Sequence, residues 1–179
     1  AMAQDGIGRA SHPSISPDGE RLAFSWQGDI WTSPIKGGEA RRLTVHLGRD
    51  MTPRWTPDGR RIVFSSDRFG TLDVFSMNAD GNDLRRLTFG GGEEYPTSVS
   101  PDGKHVVGYL SVSGSINLFR IPITGGEPAL LTNHPEEISY FPSVSPDGTQ
   151  VLFNLGASPG AWRKPAVRGS NTAEIWVAP

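Results

Sequence analysis

The chain has 179 residues, a formal net charge of −2 and no cysteine. The near-balanced charge removes any global electrostatic case for nucleic acid or an anionic membrane surface, and the missing cysteine excludes a disulfide framework and thiolate chemistry. Twenty-two glycines and fifteen prolines suit a turn-rich β protein better than a helical one; no apolar run approaches the ~18 residues that span a bilayer, and no window shows a helical stripe.

Residues 1–8 lack strand character. Ala1-Met2-Ala3-Gln4 reads as a leader or a cloning remnant, since Ala-x-Ala is a cleavage-type pattern. From residue 9 one unit recurs. Its first mark is Pro-Asp-Gly, with Asp at 18, 58, 102 and 147, in steps of 40, 44 and 45. Its last mark is a closing Thr at 44, 88 and 132. Between them a polar residue, Asp29, Asp73, Asn117 or Glu174, opens a second apolar run, and it precedes the closing Thr by 15 residues wherever that Thr is present. A period near 44 outranks other signals.

Each unit divides into four strands, here a to d. In the cleanest copy they fall near 52–56, 61–65, 72–77 and 84–88, and strands b and c carry Ile62, Val63, Phe64, Leu72, Val74 and Phe75. Pro-Asp-Gly makes the a–b hairpin: Pro presets φ, Asp bonds nearby backbone, and Gly accepts positive φ. The expectation is an all-β β-propeller of four-stranded antiparallel blades, near 9–44, 45–88, 89–132 and 133–179, with the fourth lacking strand d. A β-sandwich with coincidental turn spacing is the rival. The missing strand favours a segment of a larger ring over a closed four-bladed one.

Two places depart from the frame. Six residues after the turn Asp, Phe24, Phe64 and Phe153 are matched by Gly108, with Tyr109 next, so either a bulge shifts the aromatic or the blade packs less fully there. The fourth unit has a long, locally basic b–c loop near 156–172.

The units Ser16-Pro17-Asp18-Gly19…Asp29-Ile30-Trp31…Arg42-Leu43-Thr44 and Trp55-Thr56-Pro57-Asp58-Gly59…Asp73-Val74-Phe75…Arg86-Leu87-Thr88 resemble the WD-like Pro-Asp repeats of the TolB superfamily. They look most like the N-terminal propeller of tricorn-like serine peptidases. The resemblance implies a protein- or peptide-binding scaffold in the periplasm or outside the cell, with any catalytic serine domain elsewhere in a larger protein; the cytoplasm stays open as the alternative, because a chain without cysteine suits either compartment.

No nucleophile elbow, zinc-protease helix, phosphate loop or dinucleotide fingerprint is present, so no catalytic residue, metal or cofactor is assigned. Gly90-Gly91-Gly92 reads as an interblade link. Asn78-Ala79-Asp80-Gly81-Asn82-Asp83 reads as a turn, because a calcium loop needs a later bidentate Glu. The repeated Asp29, Asp73, Asn117 and Glu174 read as bonding groups of the frame.

Because blade strands alternate in direction, d–a and b–c loops share one face, and a–b and c–d turns share the other. The second face carries stereotyped turns, which places recognition on the first. That face gathers His46, Arg49 and Asp50, then Glu93, Glu94 and Tyr95, then His134, Glu136, Glu137 and Tyr140, with Asp67, Arg68, Trp162, Arg163, Lys164 and Arg168 from b–c loops. Strand a should line the channel, with His12, Thr52 or Arg54, and Thr97 near it. The expected partner is protein or peptide, not nucleic acid or membrane, with self-association through open blade edges a further expectation. The alternatives are a TolB-like interaction scaffold and an enzyme at the channel mouth using His134 or Glu136.

Overall fold

The computed structural model describes residues 9–133, 138–156 and 174–178, all irregular structure and β-strand. Blade one holds β1 (Ser11–Ile15), β2 (Arg21–Trp26), β3 (Asp29–Pro34) and β4 (Arg41–Arg42). Blade two holds β5 (Asp50–Trp55), β6 (Arg61–Ser66), β7 (Asp73–Asn78) and β8 (Arg85–Arg86). Blade three holds β9 (Glu93–Val99), β10 (His105–Val112), β11 (Ser115–Pro122) and β12 (Ala129–Leu130). Blade four holds β13 (Ile138–Val144), β14 (Val151–Gly156) and β15 (Glu174–Ala178). Every blade is antiparallel in chain order, as the turn spacing predicts. The first strands of successive blades touch, whereas each short fourth strand lies against its own third strand. Strand a is therefore innermost and lines the channel side.

The hairpin corner repeats in atomic detail. In blade one the Ser16 hydroxyl donates to Asp18 Oδ1 at 2.5 Å and accepts the Arg21 amide at 2.9 Å, while Asp18 Oδ1 accepts the Glu20 amide at 3.0 Å. Thr56–Asp58, Ser100–Asp102 and Ser145–Asp147 make the same set. These bonds favour the carboxylate, so all four acids lie below the usual range, and Asp147 is drawn to about 2 by the Ser145 hydroxyl first. Gly19, Gly59, Gly103 and Gly148 sit at φ between 66° and 75°, which is why glycine closes each corner. A methyl built on Gly59, Gly103 or Gly148 would meet Pro17, Pro57 or Pro101 of the preceding blade at 3.6, 4.0 and 3.6 Å. Successive corners thus stack on one side of the sheets.

The 15-residue spacing is a clasp. Thr44 Oγ1 accepts the Ile30 amide at 2.9 Å, Thr88 Oγ1 accepts that of Val74 at 2.8 Å, and Thr132 Oγ1 accepts that of Leu118 at 2.9 Å. The polar residue before each of those amides completes it. Thr44 and Thr132 hydroxyls lie 3.3 Å from Asp29 and Asn117. Arg42 pairs with Asp29 at 2.5 Å and Arg86 with Asp73 at 2.8 Å, each donating Nε to the closing Thr carbonyl at 2.9 Å. Where the acid becomes Asn117, the Arg position becomes Leu130. The frame keeps charge matched.

Seam packing follows strand alternation. Ile62, Phe64, Phe75 and Met77 of blade two pack with Ala23 and Ile30 of blade one, and Trp55 joins them. Val63, Val74 and Leu87 face the other way, against Val106, Phe119 and Ile121 of blade three. Both faces of blade two are buried, so its strands read as continuous apolar runs.

Each inner strand carries a bulge. Two residues, His12-Pro13, Thr52-Pro53 or Phe141-Pro142, oppose one in blades one, two and four, and His12, Thr52 and Phe141 adopt φ of 52°, 55° and 54°. In blade three Pro96 pairs with Gly108 and Ser98 with Val107, leaving Thr97 as the extra residue. Gly108 keeps the register position of Phe24 and Phe64 and pairs with Phe119, so no bulge on β10 shifts the aromatic into its place; a side chain is excluded there because a Cβ would lie 2.2 Å from the Tyr95 carbonyl oxygen. Tyr109 pairs with Tyr95 instead, and the rings stack at 4.8 Å.

Gly108→Ala should cost about 1–3 kcal/mol through that clash, whereas Gly91→Ala, with open space around it, should stay within about 0.5 kcal/mol. Urea unfolding of both variants checks the contrast.

Candidate functional site

Backbone bonds tie the d–a connections to the b–c loops. The Asp50 amide donates to the Gly28 carbonyl at 2.7 Å and the Glu94 amide to that of Leu72 at 2.8 Å. On the opposite side a–b and c–d turns join within each of the first three blades, through Ile35 to Glu20, Ala79 to Arg60 and Ile123 to Lys104, each at 2.8 Å. The two-face arrangement expected from strand alternation is present.

The side chains divide differently from the expectation. Asp50, Glu94 and Tyr140, placed on the recognition face by sequence, are each 1% exposed. Asp50 instead holds Arg68, whose Nη2 lies 2.9 and 3.0 Å from its two oxygens, and the Arg68 guanidinium lies over the Phe75 ring at 4.8 Å. This pair is buried frame. Arg49, Asp67, Glu93 and Tyr95 do reach the surface region. Arg49 donates its backbone N–H and its Nε to the two oxygens of Asp67 at 2.5 and 2.8 Å. Tyr95 donates to Glu93 at 3.0 Å, and burial first, then Glu93, pushes its hydroxyl above the usual range. His46 is exposed and accepts the Gly48 amide at 2.9 Å. His134, Glu136, Glu137, Trp162, Arg163, Lys164 and Arg168 lie outside the described residues.

The face also contains an apolar feature that no sequence motif announces. The Arg86 guanidinium lies 4.7 Å from the Phe69 ring and 4.7 Å from the Phe89 ring. Asp73 anchors it from below, and Phe69 stacks on buried Phe75 at 6.2 Å. Phe69 and Phe89 are 64% and 69% exposed, with Val45 and Leu47 also exposed on the preceding d–a loop. A cation–π stack on the Arg86–Asp73 ion pair braces two aromatic rings at the surface. Phenylalanine in two separate loops was the available signal.

Beneath this stack lies a buried acidic pair. Glu94 and Asp73 share the Arg86 charge, and Glu94 Oε2 has no hydrogen-bond partner among the described residues. Burial chiefly, with Asp73 adding repulsion, raises Glu94 to about 6, against the pull of Thr88 and Arg86. Burial also raises Asp73, opposed by Arg86.

A cleft of about 360 Å³ opens on the other face, between blades three and four. Arg21 fills the equivalent seam between blades one and two by lying 4.5 Å over Trp55; here His105 and Val144 stand instead, and both are smaller. Next-blade turns also cover Leu43 and Leu87, at Gly81 and Gly126, whereas Leu131 is 39% exposed. The cleft is a thinly filled seam. Among the described residues no group of three or more His, Asp or Glu is placed to hold a metal.

The family model for the Tricorn protease N-terminal beta propeller domain matches residues 10–178. The chain belongs to that family. It is 36% identical over 58 residues to Tricorn protease homolog 1 of Streptomyces coelicolor, which is 32% of this chain and 5% of that protein. It is 57% identical over 117 residues to the Tol-Pal system protein TolB of Bordetella pertussis, 65% of this chain and 26% of that protein. A structure of putative TolB from Agrobacterium tumefaciens superposes with a TM-score of 0.75 at 24% identity, over 96% of this chain and 66% of that one. The chain therefore spans a small part of these curated relatives, and the structural likeness bears on fold alone.

The Glu94 shift gives a signed prediction. The folded state holds that proton more tightly than the unfolded chain, so the ionised carboxylate is a penalty above about pH 6 that fades as pH falls toward 4.5. Glu94→Gln, which keeps an acceptor for Thr88, should stabilise by about 2 kcal/mol at pH 7.5 and by little at pH 4.5. Thermal melts of both proteins across that range check it.

Proposed function

We propose that this chain is a non-catalytic propeller segment that recognises or gates a protein or peptide on its d–a and b–c loop face, within a larger tricorn-like protein. The observation that carries this is the Phe69–Arg86–Phe89 stack. Exposed aromatic rings fixed in place, with an arginine between them, have the composition of interaction hot spots. Contact with Arg86 restricts both rings before binding, which lowers the conformational freedom they lose on binding. Ion pairing and hydrogen bonding occupy the charged groups around them within the frame, which suits docking better than acid–base chemistry.

A second reading, a TolB-like interaction scaffold with no peptidase attached, is favoured by the identity to the Tol-Pal system protein. Under both readings the partner is polypeptide, and we place the protein in the periplasm or outside the cell.

Peptides selected from a displayed library against the chain should lose about tenfold or more in affinity for the Phe69→Ala, Phe89→Ala double variant, with its melting temperature little changed because both rings are exposed. Selected peptides that bind the double variant equally well, or hydrolysis of peptide or ester substrates by the chain alone, would contradict the proposal.

A further inference from the structure

Glu94 occupies a place that an arginine neutralises one blade earlier. Its counterpart is Asp50: Asp50 stands opposite Ser66 across β5 and β6, and Glu94 opposite Leu110 across β9 and β10. Arg68, two residues beyond Ser66, pairs with Asp50. Two residues beyond Leu110 stands Val112. In the seam between blades one and two, Asp29 and Asp50 therefore have Arg42 and Arg68. In the next seam, Asp73 and Glu94 share Arg86. The clasp is altered to match. Thr44 and Thr132 turn their hydroxyls to Asp29 and Asn117, whereas the Thr88 hydroxyl turns to Glu94, which leaves Arg86 to hold Asp73.

The elements around Glu94 are β6, β7, β8, β10 and the loop after Phe89, and the charged groups they bring to it are Asp73 and Arg86. A Cβ on Gly90 would lie 2.9 Å from Glu94 Oε1, so the carboxyl sits against the loop that carries Phe89. Glu94 thus acts on both supports of the aromatic stack, the Arg86 guanidinium and the Phe89 loop. One guanidinium serving two buried carboxylates sets up a competition, because an uncompensated buried charge is costly. With Glu94 neutral, Arg86 belongs to Asp73 and stays between the rings of Phe69 and Phe89. With Glu94 ionised, a second buried negative charge faces Asp73 and draws the guanidinium from that seat. We propose that protonation of Glu94 closes the Phe69–Arg86–Phe89 stack, so that the loop face docks its polypeptide in mildly acidic surroundings and releases it as they turn neutral. Burial, with Asp73 adding repulsion, places the change at about pH 6, and a few kcal/mol of bias on a two-state element is enough for such a switch. The partner's part in this rests on the docking reading above, but the switch itself is read in the free chain.

The test is an NMR pH titration of the 179-residue chain, following the Glu94 carboxyl carbon, Arg86 Nε–H and the rings of Phe69 and Phe89. All should move together with one midpoint at about pH 6. Glu94→Gln should hold the Arg86 and ring signals at their acidic positions throughout. Val112→Arg, which restores the arginine that blade two has at that place, should pair with Glu94 and carry the midpoint down toward the ordinary carboxylate range. His46→Gln is the control, because an exposed imidazole on the same face titrates in this window, and it should leave the midpoint in place. A peptide selected at about pH 5 for binding the two rings should bind about fivefold or more weakly at about pH 7.5, and equally at both in Glu94→Gln. No common midpoint in the unaltered chain, a midpoint that persists in Glu94→Gln or vanishes in His46→Gln, or a ring-dependent peptide indifferent to pH would overturn the proposal. A cation brought to Glu94 by residues 134–137 or 157–173, which lie outside the described residues, would abolish the midpoint and so counts against it as well. If no peptide binds at any pH, the docking reading fails, while the titration of the unaltered chain still decides the switch.

Discussion

A four-stranded sheet exposes two faces, and in this chain each face is buried only by the next sheet. The seams are the constraint on which everything else depends. Blade two satisfies it on both sides, with Ile62, Phe64, Phe75 and Met77 toward blade one and Val63, Val74 and Leu87 toward blade three. Because stacked repeats contact only their neighbours, stability is roughly a sum of seam terms. Order should therefore be graded along the chain and not uniform.

The polar repeat serves the same end. The clasp of Thr88 on the Val74 amide fixes the outermost strand, whose two-residue ladder is too short to hold by itself. The Ser/Thr-Pro-Asp-Gly corner fixes the opposite end. With the turn face engaged in these bonds, sequence freedom is left to the loop face and the channel. There the acid Asp73 both anchors Arg86 and, through Arg86, props Phe69 and Phe89. A frame residue thereby shapes a surface.

Much of this was legible in the residues. The Asp of each corner, the 15-residue spacing from Asp29 to Thr44 and the absence of a nucleophile elbow gave the blades, the strand count and the two faces. What stayed hidden was side-chain direction. Glu93 and Glu94 are adjacent, but strand alternation turns the first outward and buries the second. Both lie at the start of β9, so carrying strand alternation back to its first residue was the signal that could have separated them. Asp50 was hidden for a different reason: its partner Arg68 lies 18 residues away, in another loop. Gly108 left two readings open because the carbonyl that excludes a side chain there, that of Tyr95, lies on the neighbouring strand. Phe69 and Phe89 were passed over because a loop phenylalanine has no meaning until Arg86 is seen between the two.

Native-state hydrogen exchange at the three clasped amides, Ile30, Val74 and Leu118, tests the seam account most directly. Each donates to a closing threonine with nearly the same geometry, so the local bond does not distinguish them. Neighbour burial predicts that Val74 exchanges most slowly. Equal protection at all three, or slowest exchange at Ile30 or Leu118, would contradict it.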